Sequence, residues 1–379
     1  MSDKPAIVVF GATGYTGGLV AEALVRRGIR PVLAARSAEK LDRMSQRLGG
    51  LEVRTADVNR PETVRALVGR GDVLISTVGP FDRWGGPALD AAVSNGAQYI
   101  DSCGEGPFIK AVLEDYDDAA RAARCALLPA FGYDYVPGNL AGALAAREAG
   151  AAATSLDIAY FATGSLTRGL SSGTQATMAA GLHVPTFVLR EGTVGTERTA
   201  RSVRRFRVGD RQRSAFSVSG SEIFLLHDHL PTIRDITVYN GWFPSMSRVF
   251  QAAAAGGAAV AALPVGKRLL DARAARQAGS AGGPDAAGRE ATRSYVVAVA
   301  RDARGNVLAE THLEGPSIYD LTAELMAWGA QGVAARQIRG TGALGPVQAF
   351  GLDALRDGCE SVGLHRIDAG NSTQQSVQK

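Results

Sequence analysis

Three glycines near the start of the chain have the residue type and spacing of a site for the diphosphate of a dinucleotide. Gly11, Gly14 and Gly17 follow the apolar run 7–10 and precede a helical pattern with apolar residues on one face. The first glycine would allow a tight turn, the second a close approach to a pyrophosphate, and the third close packing of the helix on the sheet. The helix N-terminus would offer N–H groups and its positive dipole end to the phosphates. We therefore predict cofactor contacts along the whole loop: Gly11, Ala12, Thr13, Gly14, Tyr15, Thr16 and Gly17.

The residues after the second apolar run indicate which dinucleotide would bind. The run 31–35 ends in Arg36 and Ser37, where a site for NAD places an acidic residue that holds the ribose hydroxyls. A guanidinium binds phosphate through two parallel charge-assisted hydrogen bonds, and Ser37 would add another. The alternative interpretation of Arg36 is a solvated residue at a helix start. The pattern favours NADPH over NADH.

The first part of the chain alternates strand and helix patterns, which predicts an α/β fold with an N-terminal Rossmann domain, a doubly wound parallel sheet. Three spaced glycines alone are weak evidence of a dinucleotide site. Their place between a strand pattern and a helix pattern makes the evidence specific. Ligands of such sheets bind beyond the carboxyl ends of the strands, where loops 57–59, 78–84 and 101–106 should meet. From these loops we predict three groups of cofactor contacts: Asp57 to the adenine amino group, with helix capping as its alternative; Val78, Gly79 and Pro80 along the nicotinamide ribose; and Cys103.

The length of 379 residues predicts more than one domain. We place an NADP-binding domain at 1–138, an α+β substrate and dimerisation domain with a mixed sheet at 139–345, a C-terminal helix that returns to the first domain at 346–370, and a disordered tail at 371–379. The second domain shows strand patterns at 155–161, 196–208, 214–225, 232–239, 294–301 and 306–314, and helical patterns near 174–182, 246–275 and 318–336.

Composition and charge argue against several classes of function. The net charge of +4 is mild and does not indicate nucleic-acid binding. The three cysteines are scattered without metal-ligand spacing, and residues 227–229 (His-Asp-His) have no third ligand nearby, so we expect a surface loop there and no metal. The first five residues lead directly into the first apolar run, and we expect no signal peptide and a cytoplasmic protein with reduced thiols.

Four motifs resemble those of the saccharopine dehydrogenase-like reductases. They are Gly-Ala-Thr-Gly-Tyr-Thr-Gly at 11–17, Ser-Thr-Val-Gly-Pro-Phe at 76–81, Tyr-Ile-Asp-Ser-Cys-Gly-Glu at 99–105 and Gly-Tyr-Asp-Tyr-Val-Pro at 132–137. The resemblance is strongest to the bacterial branch that includes the trans-acting enoyl reductases of polyketide-lipid biosynthesis. The family more often has Gly-Phe-Asp-Ser-Val-Pro in the fourth motif and a second glycine at position 172. Both departures lie near the expected substrate side.

The resemblance implies an NADPH-dependent reductase that passes hydride to an activated C=C, as in an enoyl thioester. Hydride would reach the β-carbon, and the α-carbon would then take a proton from the protein. Loop 131–139 follows a sheet strand at the nicotinamide edge, so Tyr133 is the first candidate donor, with Tyr135 and Tyr160 behind it. Asp134 would orient this loop by accepting backbone hydrogen bonds, on the substrate side. The alternative is that the tyrosines only line the seam between the domains.

Segment 168–174 supplies the remaining candidate substrate residues. Ser171, Ser172 and Thr174 would cap a helix that points at the cleft and holds a substrate carbonyl or a phosphopantetheine phosphate, and Arg168 is the candidate cation. The segment also matches the nucleophile-elbow pattern of hydrolases, which needs a parallel sheet of its own.

Two other segments suggest partners. The arginine-rich stretch 198–213 is either a solvated strand face or a docking surface for an acidic acyl carrier protein. The uncharged segment 249–266 favours a homodimer interface or a lid over an apolar pocket, with at most peripheral membrane contact. The acyl substrate would be a small molecule or carrier-bound, with a synthase as the further partner. An imine or C–N oxidoreductase and a non-catalytic NADP-binding protein remain the alternative functions.

Overall fold

The computed structural model describes residues 5–164, 185–261 and 282–368. Its first sheet contains seven strands: β1 Ile7–Phe10, β2 Val32–Ala35, β3 Val53–Thr55, β4 Val73–Ser76, β5 Gln98–Asp101, β6 Ala126–Leu128 and β15 Gly342–Ala343. The order is β15-β6-β5-β4-β1-β2-β3, and every pairing is parallel. Every residue of β1, β2 and β4 is buried, as expected for a parallel sheet that is covered on both faces.

Eight helices connect or follow these strands. They are α1 Tyr15–Arg26, α2 Ala38–Arg47, α3 Pro61–Arg65, α4 Phe81–Trp84, α5 Gly86–Asn95, α6 Gly106–Asp115, α7 Asp117–Ala123 and α8 Val136–Ala149. The strand order changes direction between β1 and β4, so the loops after these two strands flank a crevice. Cofactors bind at such a switch point in doubly wound sheets.

The second sheet contains nine strands and is mixed. They are β7 Ser155–Thr163, β8 Thr186–Arg190, β9 Thr193–Glu197, β10 Val203–Val208, β11 Arg211–Val218, β12 Asp235–Asn240, β13 Arg293–Arg301, β14 Val307–Gly315 and β16 His365–Ile367. The main path is β10-β11-β12-β7-β13-β14-β16, with β8 paired to both β12 and β9. Among the pairings of this second sheet within the described residues, only β12–β7 is parallel. The predicted mixed sheet is confirmed.

The helices of this half are α9 Glu222–Leu225, α10 Ser247–Ala261, α11 Ala286–Glu290, α12 Ile318–Ala334, α13 Pro346–Phe350 and α14 Leu352–Ser361. α12 packs beside α1, and ion pairs from Arg26 and Arg27 to Glu324 join the two helices. β15, which lies before position 345, belongs to the first sheet. β16, which lies within 346–370, belongs to the second sheet. The predicted return of 346–370 to the first domain is therefore incomplete.

Several predicted elements differ from the structure. The strand predicted at 214–225 ends at Val218, and α9 follows after the turn residues 219–221. The strand predicted at 196–208 is divided into β9 and β10 around Ala200, which has φ of +55°. Residues 227–229 form one turn of 3-10 helix and not a loop. β8 had no counterpart in the predicted pattern.

Within the described ranges, no group of three or more His, Cys, Asp or Glu is arranged to hold a metal ion. No helix in those ranges has the length and apolar character needed to cross a membrane.

Candidate functional site

The glycine-rich loop between β1 and α1 forms a cradle that requires glycine at positions 11 and 17. Gly11 has φ of +91°, and its N–H and that of Ala12 donate to the carbonyl of Ala34 at 2.8 and 3.1 Å. A Cβ on Gly17 would lie 2.3 Å from the carbonyl oxygen of Gly11. Gly14 precedes α1 without any side-chain cap, so the first-turn N–H groups stay available to an anion. The loop therefore fits the diphosphate of NADPH.

Arg36 lies at the carboxyl end of β2 with its side chain exposed. It forms no hydrogen bond or ion pair with another described residue, and the nearby Glu39 pairs instead with Arg43. Ser37 caps α2, since its hydroxyl oxygen accepts from the N–H of Lys40 at 3.3 Å. An exposed guanidinium at this position suits the 2′-phosphate, and contact of Arg36 and Ser37 with it stays a prediction.

The next loops lie beside this cradle. Asp57 accepts from the backbone N–H and the side-chain amide of Asn59 at 2.9 and 3.0 Å, which closes a local turn. It does not cap α3, because Arg60 holds the N-cap position there without a side-chain bond. The Val78 methyl group lies 3.0 Å from where a Cβ on Gly11 would stand, so residues 78–80 border the glycine loop. Their cofactor contacts remain predictions.

Asp101, at the end of β5, ties together two loops at the edge of the crevice. Its Oδ1 accepts from the N–H of Cys103 at 2.8 Å and of Ala130 at 2.7 Å. Complete burial raises the pKa of Asp101 to about 6, although these two hydrogen bonds act in the opposite direction. Asp101 thus performs an orienting task like the one that we predict for Asp134.

Asp134 accepts no hydrogen bond from a described residue, and its orienting role stays a prediction. Its side chain is partly buried, and desolvation raises its pKa to about 7. Cys103 is fully buried, and its thiol donates to Glu105 at 3.0 Å. Burial, with Glu105 adding to it, raises the pKa of Cys103 well above the usual range, so the thiol is inert.

The structure brings the three candidate tyrosines together at the seam between the sheets. Tyr133 donates to the carbonyl of Phe161 at 3.0 Å, and Tyr135 donates to those of Ser219 at 3.1 Å and Gly104 at 3.3 Å. The rings of Tyr133 and Tyr135 each meet Tyr160 edge to face, with centroids 5.3 and 5.8 Å apart. Burial raises the pKa of all three well above 10, so each hydroxyl keeps its proton.

Glu222 completes this cluster and was missed by the sequence analysis. Its Oε1 accepts from the hydroxyl of Tyr160 at 2.5 Å, and its Oε2 has no hydrogen-bond partner among the described residues. Burial raises the pKa of Glu222 to about 8, against the effect of the Tyr160 hydrogen bond. The carboxyl is therefore largely neutral at pH 7. Glu222 lies within the segment 214–225, whose pattern predicts a strand. In the sequence, only the turn residues 219–221 indicate that this strand ends before Glu222.

Gly138 and Asn139, near the start of α8, lie against the cluster of the three tyrosines and Glu222. A Cβ on Gly138 would lie 2.0 Å from both Tyr160 Oη and Glu222 Oε1, so the close approach requires glycine. The Asn139 amide donates to the carbonyl of Tyr135 and the hydroxyl of Ser221, both at 2.9 Å. Carboxyl groups and tyrosines with shifted pKa values that lie close together between two sheets are typical of functional sites.

The other candidates are placed as follows. Arg168, Ser171, Ser172 and Thr174 lie outside the described residues. The arginine stretch 198–213 is only partly a solvated face, because Arg204 pairs with the buried carboxyl of Asp157, which also pairs with Arg301 of β13.

Comparison with known proteins agrees with this geometry. The family model of the saccharopine dehydrogenase NADP binding domain matches residues 7–128. A Mycobacterium tuberculosis relative, named as a candidate trans-acting enoyl reductase, is 36% identical over 181 residues, which are 45% of this chain and 43% of the relative. The trans-acting enoyl reductase of Mycobacterium leprae is 36% identical over 140 residues, 35% of this chain and 34% of that protein. The match spans less than half the length of these relatives.

A solved structure covers nearly the whole chain. Saccharopine dehydrogenase (L-Glu forming) from Saccharomyces cerevisiae has a TM-score of 0.60 at 11% identity, over 96% of this chain and 99% of that one. At this identity the likeness shows the fold, and it confirms the predicted α/β architecture. The family match confirms the predicted NADP-binding domain.

Proposed function

We propose that this chain, whose residues 7–128 belong to the saccharopine dehydrogenase NADP-binding domain family, is an NADPH-dependent reductase of activated C=C bonds in acyl thioesters. The single observation that carries the proposal is the cluster of protonated groups beside the crevice: Tyr133, Tyr135, Tyr160 and Glu222. Reduction of an enoyl thioester needs a proton as well as a hydride, and this cluster offers protons next to the cofactor crevice. The names of the relatives support the choice of substrate.

The bound cofactor supplies the hydride, and the chain supplies the rest. The glycine loop and the start of α1 would hold the diphosphate, and Arg36 would hold the 2′-phosphate. Residues 78–80, which border the glycine loop, would contact the nicotinamide end.

Tyr135 is the proton donor that the geometry favours. Its hydroxyl donates to Gly104, in the loop after β5 that borders the crevice. Its side chain is also the most exposed of the three, at 8% against 2% for Tyr133 and Tyr160. Tyr133, the first choice from sequence, donates instead to Phe161 inside the second sheet.

The substrate is carrier-bound, and a separate synthase makes it. This extension rests on the relatives, whose names describe enoyl reductases that act in trans.

The test is consumption of NADPH by the purified chain against two substrate panels. Enoyl thioesters of pantetheine or of an acyl carrier protein should be reduced, and keto acids with amines should not. Consumption with only the second panel would assign a C–N oxidoreductase instead. Tight NADPH binding without consumption in either panel would favour a non-catalytic protein.

A further inference from the structure

Residues 283–289, which we call the strap, lie against the glycine loop although they are distant in sequence. The Tyr15 hydroxyl donates to the carbonyl of Pro284 at 2.6 Å, across 269 positions of the chain. The Tyr15 ring lies so close to Gly283 that a Cβ there would be 2.5 Å from ring carbons. The strap leads into β13 of the second sheet. Tyr15 therefore fastens a segment from outside the NADP-binding domain to the first residue of α1.

One arginine of the strap is held beside this junction. Arg289 Nε donates to Asp320 Oδ1 at 2.7 Å, and its Nη1 donates to the Pro284 carbonyl at 3.1 Å and to Tyr15 Oη at 3.4 Å. The Arg289 side chain is only 16% exposed, and its Nη2 makes no hydrogen bond to a described residue. Ser317 in turn donates to Asp320 Oδ2 at 2.7 Å. The side chain is thus fixed with donor capacity left over.

Two helix starts converge where Arg289 is held. Tyr319, in the first turn of α12, packs its ring edge to face on Tyr15 with centroids 5.1 Å apart. α1 and α12 therefore begin side by side, and both present positive dipole ends to the same region. Anions are stabilised at such a place.

The glycine loop contains no cation of its own. Residues 11–17 include no charged side chain, while the diphosphate of NADPH carries two negative charges. We propose that Arg289 binds this diphosphate, as a cofactor-binding residue that the second half of the chain supplies through the strap. Arg36 would then serve the 2′-phosphate and Arg289 the diphosphate, at two separate points on the cofactor. The inference rests on NADPH as the cofactor and not on the proposed substrate.

The test separates the two phosphate sites by equilibrium binding. Arg289→Gln removes the charge and keeps a polar side chain. It should weaken NADPH and NADH alike, by about ten-fold or more, because a charge-assisted hydrogen bond is lost. Binding of adenosine 2′-monophosphate, which has no diphosphate, should stay unchanged. Arg36→Gln should show the opposite pattern, with NADH unaffected.

Controls make each outcome decisive. Arg293→Gln removes a nearby arginine whose hydrogen bonds within the described residues go to the backbone carbonyls of Glu290 and Thr292, and it should bind NADPH normally. Arg289→Lys keeps the charge and should bind NADPH better than Arg289→Gln. Unchanged NADPH affinity in Arg289→Gln would overturn the proposal. So would equal loss of adenosine 2′-monophosphate binding, since that would indicate general damage to the site. Neither readout requires turnover, so failure of the proposed reaction is distinguishable.

Discussion

The carboxyl of Glu222 accepts a hydrogen bond from the hydroxyl of Tyr160 at 2.5 Å, with both side chains buried in the seam between the two sheets. The residues come from α9 and β7, and Tyr160 also reaches the carbonyl of Tyr135 at 3.3 Å. The pair thereby connects the second sheet to the loop that carries the proposed proton donor. Its protonation state should affect both stability and turnover.

Stability should depend on pH through Glu222. Burial raises its pKa from 4.5 to about 8, so the folded state holds a proton that the unfolded chain releases. The contribution of Glu222 to stability is thus present below pH 4.5 and declines as pH rises toward 8. Glu222→Gln should therefore gain about 1–3 kcal/mol of unfolding free energy relative to wild type between pH 5 and pH 8. Urea unfolding across this range measures the gain.

The control for this prediction is an exposed glutamate. Glu114→Gln, which alters a solvent-exposed pair with Lys110, should keep the wild-type pH dependence. Asp101 and Asp134 remain in both variants and contribute equally to the two profiles. Parallel profiles for wild type and Glu222→Gln would show that Glu222 is ionised in the folded protein.

Gly138 should be intolerant of any side chain. An alanine Cβ would lie 2.0 Å from Tyr160 Oη and Glu222 Oε1, so the cluster or α8 must shift. We expect Gly138→Ala to lose about 1–3 kcal/mol of unfolding free energy, as for overpacked cores. Gly86 is a helical glycine at which an added Cβ would meet no atom within 4 Å. Gly86→Ala should therefore be neutral or slightly stabilising. Similar unfolding midpoints for the two variants would contradict the packing described.

Tyr135 should matter to turnover more than Tyr133 does. Tyr135→Phe removes the proposed donor and should lower kcat by about 100-fold, in the range of general acid catalysis. NADPH affinity should change little, because Tyr135 is not among the predicted cofactor contacts. Tyr133→Phe, whose hydroxyl serves Phe161, should lower kcat far less. Steady-state kinetics and NADPH binding on both variants test the order, and a larger loss in Tyr133→Phe would reverse the assignment.

Arg36 should set the choice of cofactor. Its side chain is exposed and has no partner among the described residues, so it can meet the 2′-phosphate directly. Arg36→Asp should weaken NADPH by about 100-fold and leave NADH within a few-fold of wild type, since only NADPH loses a charge-assisted contact and gains repulsion. Fluorescence titration with each cofactor measures this. Equal losses for both would place Arg36 outside the 2′-phosphate site.

Local patterns predicted the cofactor domain well. The spacing of Gly11, Gly14 and Gly17 and the residue after β2 are short-range signals, because a turn and the next helix are built from adjacent residues. The proton-bearing tyrosines were identified because they lie on or near a loop that follows a strand of the first sheet.

The missed residues depend on contacts between distant parts of the chain. Glu222 meets Tyr160 across 62 positions, and Arg289 meets Tyr15 across 274. No periodicity in the sequence reports such pairs. Asp101 was overlooked in favour of Asp134 because both are acidic residues beside loops, and only the backbone hydrogen bonds distinguish them.

The most direct test of the proposed reaction follows the transferred hydrogen. The chain would be incubated with NADPH deuterated at C4 of the nicotinamide and an enoyl thioester, and the product would be analysed by mass spectrometry. Our account predicts one deuterium on the β-carbon of the saturated thioester, with the α-hydrogen coming from solvent. Deuterium on an amine-bearing carbon with a keto acid and an amine, and none on the thioester, would contradict it.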